Sequence, residues 1–264
     1  MQQNLKGVPE TLLIPLWARA AETKEQKPII QDEKAVEMVE QIDYDFSKFN
    51  GSWMTQTGVS VRTEILDREV KKFINEHPDG VIINIGCGLD TRYFRVDNGK
   101  IRWYDLDLPE AISIRKEFFQ ESDKYKMLGK SVFDYSWVED VETEGRQVLF
   151  LAEGVLMYFT EQEIVGLIDN LTKLFSQAHM LFEMLPRMLV KGSRKHETLR
   201  ETEAKFQWGI HSGKDMELLN SRIRFIEEWN FFDYYRNRWK WLGWLALIPA
   251  FRNNFNDRIV HIVL

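Results

Sequence analysis

Two glycines, Gly86 and Gly88, flank Cys87 directly after an apolar run rich in β-branched residues, Val81-Ile82-Ile83-Asn84-Ile85. A second run, Ile101 to Tyr104, ends on acids at Asp105 and Asp107. Glycine lets the chain turn sharply and leaves its amides open to a ligand lying on them. An acid at the tip of the next strand can accept from both hydroxyls of a ribose. Together they call for a nucleoside-containing ligand at the end of a strand, glycine turn, crossover and strand. A dinucleotide is disfavoured, because the G-x-G-x-x-G fingerprint needs a third glycine where this chain has Thr91. There is no phosphate-loop lysine of the G-x-x-x-x-G-K-[ST] kind either. A nucleoside without phosphates fits better, and S-adenosylmethionine is the common one.

Other elements must hold this turn in place. Gln147 to Ala152 is a near-continuous apolar run, the pattern of a parallel strand buried on both faces, and it stops at Glu153. A carboxylate leaving such a strand is costly unless it is paired or bound to a ligand. The spacing predicts a helix over Ser60 to Asn75, with Ile65, Leu66, Val70, Phe73 and Ile74 on one face. Arg62 falls in its first turn, where a cation opposes the helix dipole. One reason for it is a carboxylate held in the guanidinium fork, worth about 1.5 to 3 kcal/mol; the other is a solvated surface position. Within residues 10–58, Asp32 is a plausible cap for a helix from Glu33 to Ile42. Pro109 suits the first position of a helix running to about Gln120. A strand at Tyr125 to Leu128 precedes Ser131-Val132-Phe133-Asp134, and a capping box at Thr160 to Glu163 opens a helix whose stripe of Ile164, Leu167, Ile168, Leu171, Leu174 and Phe175 is core. His179 to Leu185 reads as the next strand.

Three segments in this order, Asn84-Ile85-Gly86-Cys87-Gly88-Leu89-Asp90-Thr91-Arg92, Trp103-Tyr104-Asp105-Leu106-Asp107-Leu108-Pro109 and Leu151-Ala152-Glu153-Gly154-Val155-Leu156-Met157-Tyr158, resemble the leucine carboxyl methyltransferase family. That family includes the tetracenomycin-type polyketide O-methyltransferases of bacteria. The resemblance covers residues 10–190 and thins beyond them. It implies an α/β, Rossmann-like class I methyltransferase fold: a mostly parallel central sheet with helices on both faces, an antiparallel C-terminal strand, an N-terminal helical cap and a lid insertion. It implies S-adenosylmethionine as donor, S-adenosylhomocysteine as product, and no metal. It places the cofactor on Gly86, Cys87 and Gly88, matches Arg62-Thr63 to a cofactor-binding arginine, puts Glu153 in the cofactor pocket, and selects Asp107 over Asp105 for the ribose. Relatives carry an Asp-hydrophobic pair against the adenine where this chain has Ser131-Val132, a departure; the serine hydroxyl accepts more weakly, and Asp134 is the alternative. Tyr158 is either a substrate-side hydroxyl or a structural tyrosine.

With 264 residues and no Gly, Ser or Pro-rich linker, the chain reads as one domain. Its expected parts are a helical cap over 10–58, a cofactor-binding core over 59–185, a charged substrate insertion over 186–220 and closing strands over 221–264. Those strands are Arg222 to Glu227 and Ile259 to Leu264. An aromatic cluster between them, Trp229, Phe231, Phe232, Tyr234, Tyr235, Trp239, Trp241 and Trp244, suits packing the sheet, lining a pocket for a flat substrate, or meeting a second subunit in a homodimer. A net charge of −6 argues against general nucleic-acid binding. One cysteine excludes an internal disulfide and is compatible with a reducing cytosol. No signal peptide is apparent, and the longest apolar stretch, Trp241 to Ile248, is far short of the roughly 20 residues that cross a bilayer. A cytoplasmic protein is expected.

There is no G-x-S-x-G, and the five histidines are scattered without ligand spacing. Methyl transfer from a sulfonium needs neither, since alignment of the reactants recovers on the order of 7 to 11 kcal/mol. The expected activity is an O-methyltransferase for a small molecule, phenol or carboxylate. The alternatives are a protein C-terminal carboxyl methyltransferase and a cofactor-binding protein without catalysis.

Overall fold

The apolar runs become strands. The computed structural model describes residues 10–192 and 205–264. Its strands are β1 (Val81–Ile85), β2 (Arg102–Asp107), β3 (Tyr125–Gly129), β4 (Val148–Ala152), β5 (His179–Met184), β6 (Arg224–Asn230) and β7 (Arg258–Val263). They form one seven-stranded sheet in the order β3-β2-β1-β4-β5-β7-β6. The first five are parallel, and β7 runs antiparallel between β5 and β6. Strand order reverses between β1 and β4, and such a switch leaves a crevice at the carboxyl ends of the two strands.

The helices that matter here are α1 (Glu10–Thr23), α2 (Glu33–Gln41), α3 (Trp53–Glu76), α4 (Arg92–Val96), α5 (Pro109–Arg115) and α6 (Glu161–Leu174). α1, α2 and α3 cover one face, packing Leu16, Met38 and Ile65 with the strand residues Ile82, Leu149 and Leu181. α6 covers the other, packing Ile164, Leu167 and Leu171 with Ile83, Phe150 and Phe182. Alternate residues of β1 and β4 thus feed opposite cores, which is why both runs are apolar throughout. The expected capping box opens α6, and the Asp32 side chain caps α2 by accepting from the Ala35 amide at 3.0 Å.

Several expected boundaries differ. α3 begins at Trp53, seven residues before Ser60, so Arg62 sits well inside the helix and the helix dipole says little about it. Thr55, Thr57 and Gly58 are modest helix formers, but tertiary packing overrides them; a Cβ on Gly58 would lie 3.8 Å from the Trp239 ring. The same helix runs across the boundary expected at 58/59. α5 ends at Arg115 and does not reach Gln120, because the chain turns to bury Phe119 under the Arg115 guanidinium, 4.3 Å from the ring centroid. In the charged insertion, Arg194, Lys195, Glu197, Arg200, Glu201 and Glu203 lie outside the described residues.

Candidate functional site

A cavity of about 680 Å³ opens at the carboxyl ends of β1, β4 and β5. Gly86, Cys87, Gly88, Arg62, Glu153 and Tyr158 all line it. The structure thus brings together six of the residues expected at the site, contributed by α3 and by the segments after β1 and β4.

The turn after β1 has the geometry that glycine permits. Gly86 and Gly88 have φ of 63° and 47°. A Cβ on Gly86 would come 2.7 Å from Val155 Cγ2, and one on Gly88 2.8 Å from Leu12 Cδ2 of α1. The Gly86 amide donates to the Leu106 carbonyl at 2.8 Å, and the Gly88 amide donates to Asp107 Oδ2 at 2.7 Å. Asp107 also accepts from the Leu108 amide through Oδ1 at 2.7 Å. It does not line the cavity itself, but it stands directly behind the turn, and each oxygen keeps a further lone pair. Burial raises its pKa above the usual carboxylate value, against the pull of the two amides. Burial likewise pushes the Cys87 thiol up, so it is a space-filling group in the turn and not a nucleophile.

Asp105 has a different job. It is fully buried and accepts from Trp103 Nε1 at 2.9 Å, Tyr125 Oη at 2.7 Å, Asn84 Nδ2 at 3.2 Å and Arg115 Nε at 2.9 Å. Arg115 then donates through Nη1 to the Gly88 carbonyl at 3.0 Å. The inner acid of the pair therefore braces the glycine turn from below, through an arginine that nothing in the local sequence marks out.

Around the cavity runs a buried charge network. Arg62 pairs with Glu153 Oε1 at 2.7 Å and with Glu183 Oε2 at 2.8 Å. Arg92 donates to Glu153 Oε2 at 2.6 Å, Asp90 Oδ2 at 2.7 Å and Asp67 Oδ1 at 2.8 Å. Arg95 holds Asp67 and Asp32; Arg19 joins Asp32 to the Leu89 carbonyl. Burial works to raise the Glu153 carboxyl, but Arg62 and Arg92 outweigh it and hold the group below its usual value. Glu183, with one arginine and the Glu153 charge nearby, is raised by burial. Both Nη atoms of Arg62 are thus engaged by the protein's own acids, and its Nε is buried and without a hydrogen-bond partner.

Tyr158 lies on the turn after β4, tilted against the Phe206 ring at 5.5 Å. Burial and the Glu183 charge raise its pKa, which favours the protonated phenol. The aromatic cluster divides. Phe231, Phe232 and Trp239 line the cavity, Trp229 stacks on His261, and Trp241 and Trp244 are exposed. Ser131 and Val132 stand apart: Val132 is buried in the α6-side core, Ser131 accepts from the Phe133 amide at 3.3 Å, and neither lines the cavity. Asp134 is an exposed cap accepting from the Ser136 amide.

The cavity suits the expected donor. Its described lining has two cations, Arg19 and Arg62, against four acids, Asp90, Glu153, Glu183 and Asp257, a balance that favours a sulfonium cation. The close-walled glycine turn and the unpartnered Arg62 Nε fit an adenosyl group at one end and an amino-acid carboxylate at the other. Among the described residues, no group of three or more His, Cys, Asp or Glu is placed to hold a metal ion.

Comparison with known proteins agrees. Residues 13–172 match the family model described as leucine carboxyl methyltransferase. The chain is 33% identical over 231 residues to the tetracenomycin polyketide synthesis O-methyltransferase TcmP of Streptomyces glaucescens, covering 87% of this chain and 85% of that protein. It is 28% identical over 284 residues to the S-adenosyl-L-methionine-dependent methyltransferase dpfgK of Gibberella zeae, covering 97% and 94%. A solved structure from Thermobifida fusca shares the fold, with a TM-score of 0.61 at 11% identity over 98% of each chain.

Proposed function

The chain belongs to the leucine carboxyl methyltransferase family, and on that premise we propose that it moves the methyl group of S-adenosylmethionine onto an oxygen of a small, flat acceptor, a phenol or a carboxylate. The observation that carries this is the cavity itself, acid-rich beside the glycine turn and walled by Phe231, Phe232 and Trp239 across from it. The similarity to a polyketide O-methyltransferase supports a small aromatic acceptor. When bound, the donor supplies a methyl carbon already activated by its positive sulfur.

Everything else is positioning. Asp107 accepts from the ribose hydroxyls with its remaining lone pairs, and the backbone of Gly86, Cys87 and Gly88, its amides already taken by Leu106 and Asp107, packs against the nucleoside. Arg62 Nε donates to the methionine carboxylate, and Glu153, fixed by Arg62 and Arg92, faces the amino group. Tyr158 donates to the acceptor side. The Asp105 and Arg115 brace and the arginine network hold these groups still, and fixed orientation supplies most of the rate. The single, buried Cys87 suits a reducing cytosol.

Transfer of labelled methyl from S-adenosylmethionine onto a cell extract, separated by size, tests the proposal. Label in the small-molecule fraction supports it. Label confined to protein points to a C-terminal carboxyl acceptor instead, and binding without label points to a non-catalytic protein.

A further inference from the structure

Trp241, Trp244, Leu247 and Ile248 stand exposed on a stretch that carries two short helices, Leu242–Leu245 and Pro249–Asn254. The backbone coils through it: the Trp244 amide donates to the Trp241 carbonyl at 3.2 Å and the Ala246 amide to the Leu242 carbonyl at 2.9 Å. Positions three and four apart share a face on such a coil. The two faces here reverse the usual amphipathic order. Gly243 and Ala246 are buried, and a Cβ on Gly243 would come 2.6 Å from the Arg236 carbonyl oxygen, so the small residues face the protein. The large ones face out: Trp244 is 76% exposed, Trp241 61%, Leu247 54% and Ile248 53%. Among the described residues, six of the thirteen exposed large hydrophobic side chains fall between Tyr235 and Phe255, too dense a grouping for the scatter that any surface shows. The patch reaches the cavity rim, since Leu242 and the exposed Phe255 line the cavity as well.

Charge decides what this face meets. From Tyr234 to Asn256 the chain has four cations, Arg236, Arg238, Lys240 and Arg252, and no acid, although its net charge is −6. Arg238 is paired with Glu22, and Arg252 with Asp233. Arg236 and Lys240 have no acid partner among the described residues; Lys240 lies over the Trp53 ring at 4.5 Å and keeps its charge. A two-fold contact between copies of this chain would set the same surface against itself, cations toward cations, whereas an anionic surface complements it. From this we infer that Trp241, Trp244, Leu247 and Ile248 dock the protein on an anionic lipid bilayer, with Arg236 and Lys240 on its headgroups. The residue types match the layers of such a surface: cations for the phosphates, indoles for the interface, leucine and isoleucine for the acyl boundary. The protein lies on the bilayer and does not cross it by these elements, since no helix among the described residues is long and apolar enough to span one. Leu242 and Phe255 belong to the same face, so docking sets the cavity rim at the lipid surface. The docking does not depend on what the cavity binds.

The test is flotation of the full chain with vesicles of phosphatidylcholine, alone or mixed with phosphatidylglycerol. The wild type should bind the mixed vesicles at least tenfold more tightly than phosphatidylcholine alone, and high salt should weaken the binding. Trp241→Ala/Trp244→Ala should lose at least tenfold, and so should Arg236→Glu/Lys240→Glu, with the melting temperature held in both because all four side chains are exposed. A Leu247→Cys variant carrying an environment-sensitive fluorophore should shift to the blue on the mixed vesicles, and burial of Cys87 confines the label to that position. No flotation of the wild type, equal binding to both vesicles, or binding that survives Trp241→Ala/Trp244→Ala would each overturn the inference. So would a wild-type dimer in sedimentation that the same change dissociates, which would give the face to a second copy, or binding to soluble polyglutamate without binding to vesicles, which would give it to an acidic protein.

Discussion

Arg92 Nη2, fully buried at the start of α4, lies 2.6 Å from Glu153 Oε2 at the end of β4. One guanidinium thereby joins the segment after β1 to the segment after β4, across the point where the strand order reverses. Its other nitrogens hold Asp90 and Asp67, so α3 is tied to the same point. The cavity floor is one hydrogen-bonded unit assembled from three distant stretches of chain.

Removing this guanidinium leaves three buried carboxylates short of a partner. Breaking one side of a buried ion pair typically costs about 3 to 5 kcal/mol. Arg92→Met should lower stability by that amount, read as a shift in the urea midpoint. Arg92→Lys should recover little of it, because a point charge cannot reach three acids as a planar fork does.

Gly86 tests the turn. A side chain there would take a left-handed φ and press on Val155, costing about 1 to 2 kcal/mol for the backbone and about 1 to 3 kcal/mol for the overpacking. Gly86→Ala should lower the melting temperature and weaken S-adenosylhomocysteine binding more than tenfold by calorimetry. Gly166→Ala, where an added Cβ meets nothing within 4 Å, should do neither.

A pH dependence comes from the antiparallel side of the sheet, where β7 lies between β5 and β6. His261 on β7 shares a hydrogen bond with His179 on β5 at 2.8 Å. Burial, with His179 and other cations nearby, lowers its pKa from 6.5 to about 4. The unfolded chain therefore takes up a proton at this residue before the folded one does, and stability is present above pH 6.5 and is lost as the pH falls toward 4. The loss should approach about 3 kcal/mol, because each tenfold weakening of proton affinity on folding corresponds to about 1.4 kcal/mol. Urea unfolding between pH 7.5 and 4.5 measures it, and His261→Gln should flatten the profile over that window.

Much of the scaffold is legible in the sequence because it is written in local patterns. The β-branched run into Gly86, the acids ending β2 and the capping box at Thr160 each depend on residues a few positions apart. The network is not legible there, because its pairs are long-range: Arg92 meets Glu153 across 61 positions, and Arg62 meets Glu183 across 121. Traces of it are present. Asp67 falls on the same helical face as Thr63, Val70 and Ile74, all buried, and a carboxylate at such a position needs a partner. Glu183 interrupts an apolar strand in the same way, and Asp32, a helix cap by its local sequence, also holds two arginines. Asn256 and Asp257, which line the cavity, carry no periodic signal at all, since they reach it only through what β7 places beside β5.

Titration calorimetry with S-adenosylhomocysteine tests the central claim most directly. The wild type should bind in a single saturable step, and Asp107→Ala, which removes the acid behind the glycine turn, should bind at least tenfold more weakly, a loss of about 1.4 kcal/mol. No heat from the wild type, or equal affinity in Asp107→Ala, would contradict the claim that this turn holds the adenosyl group.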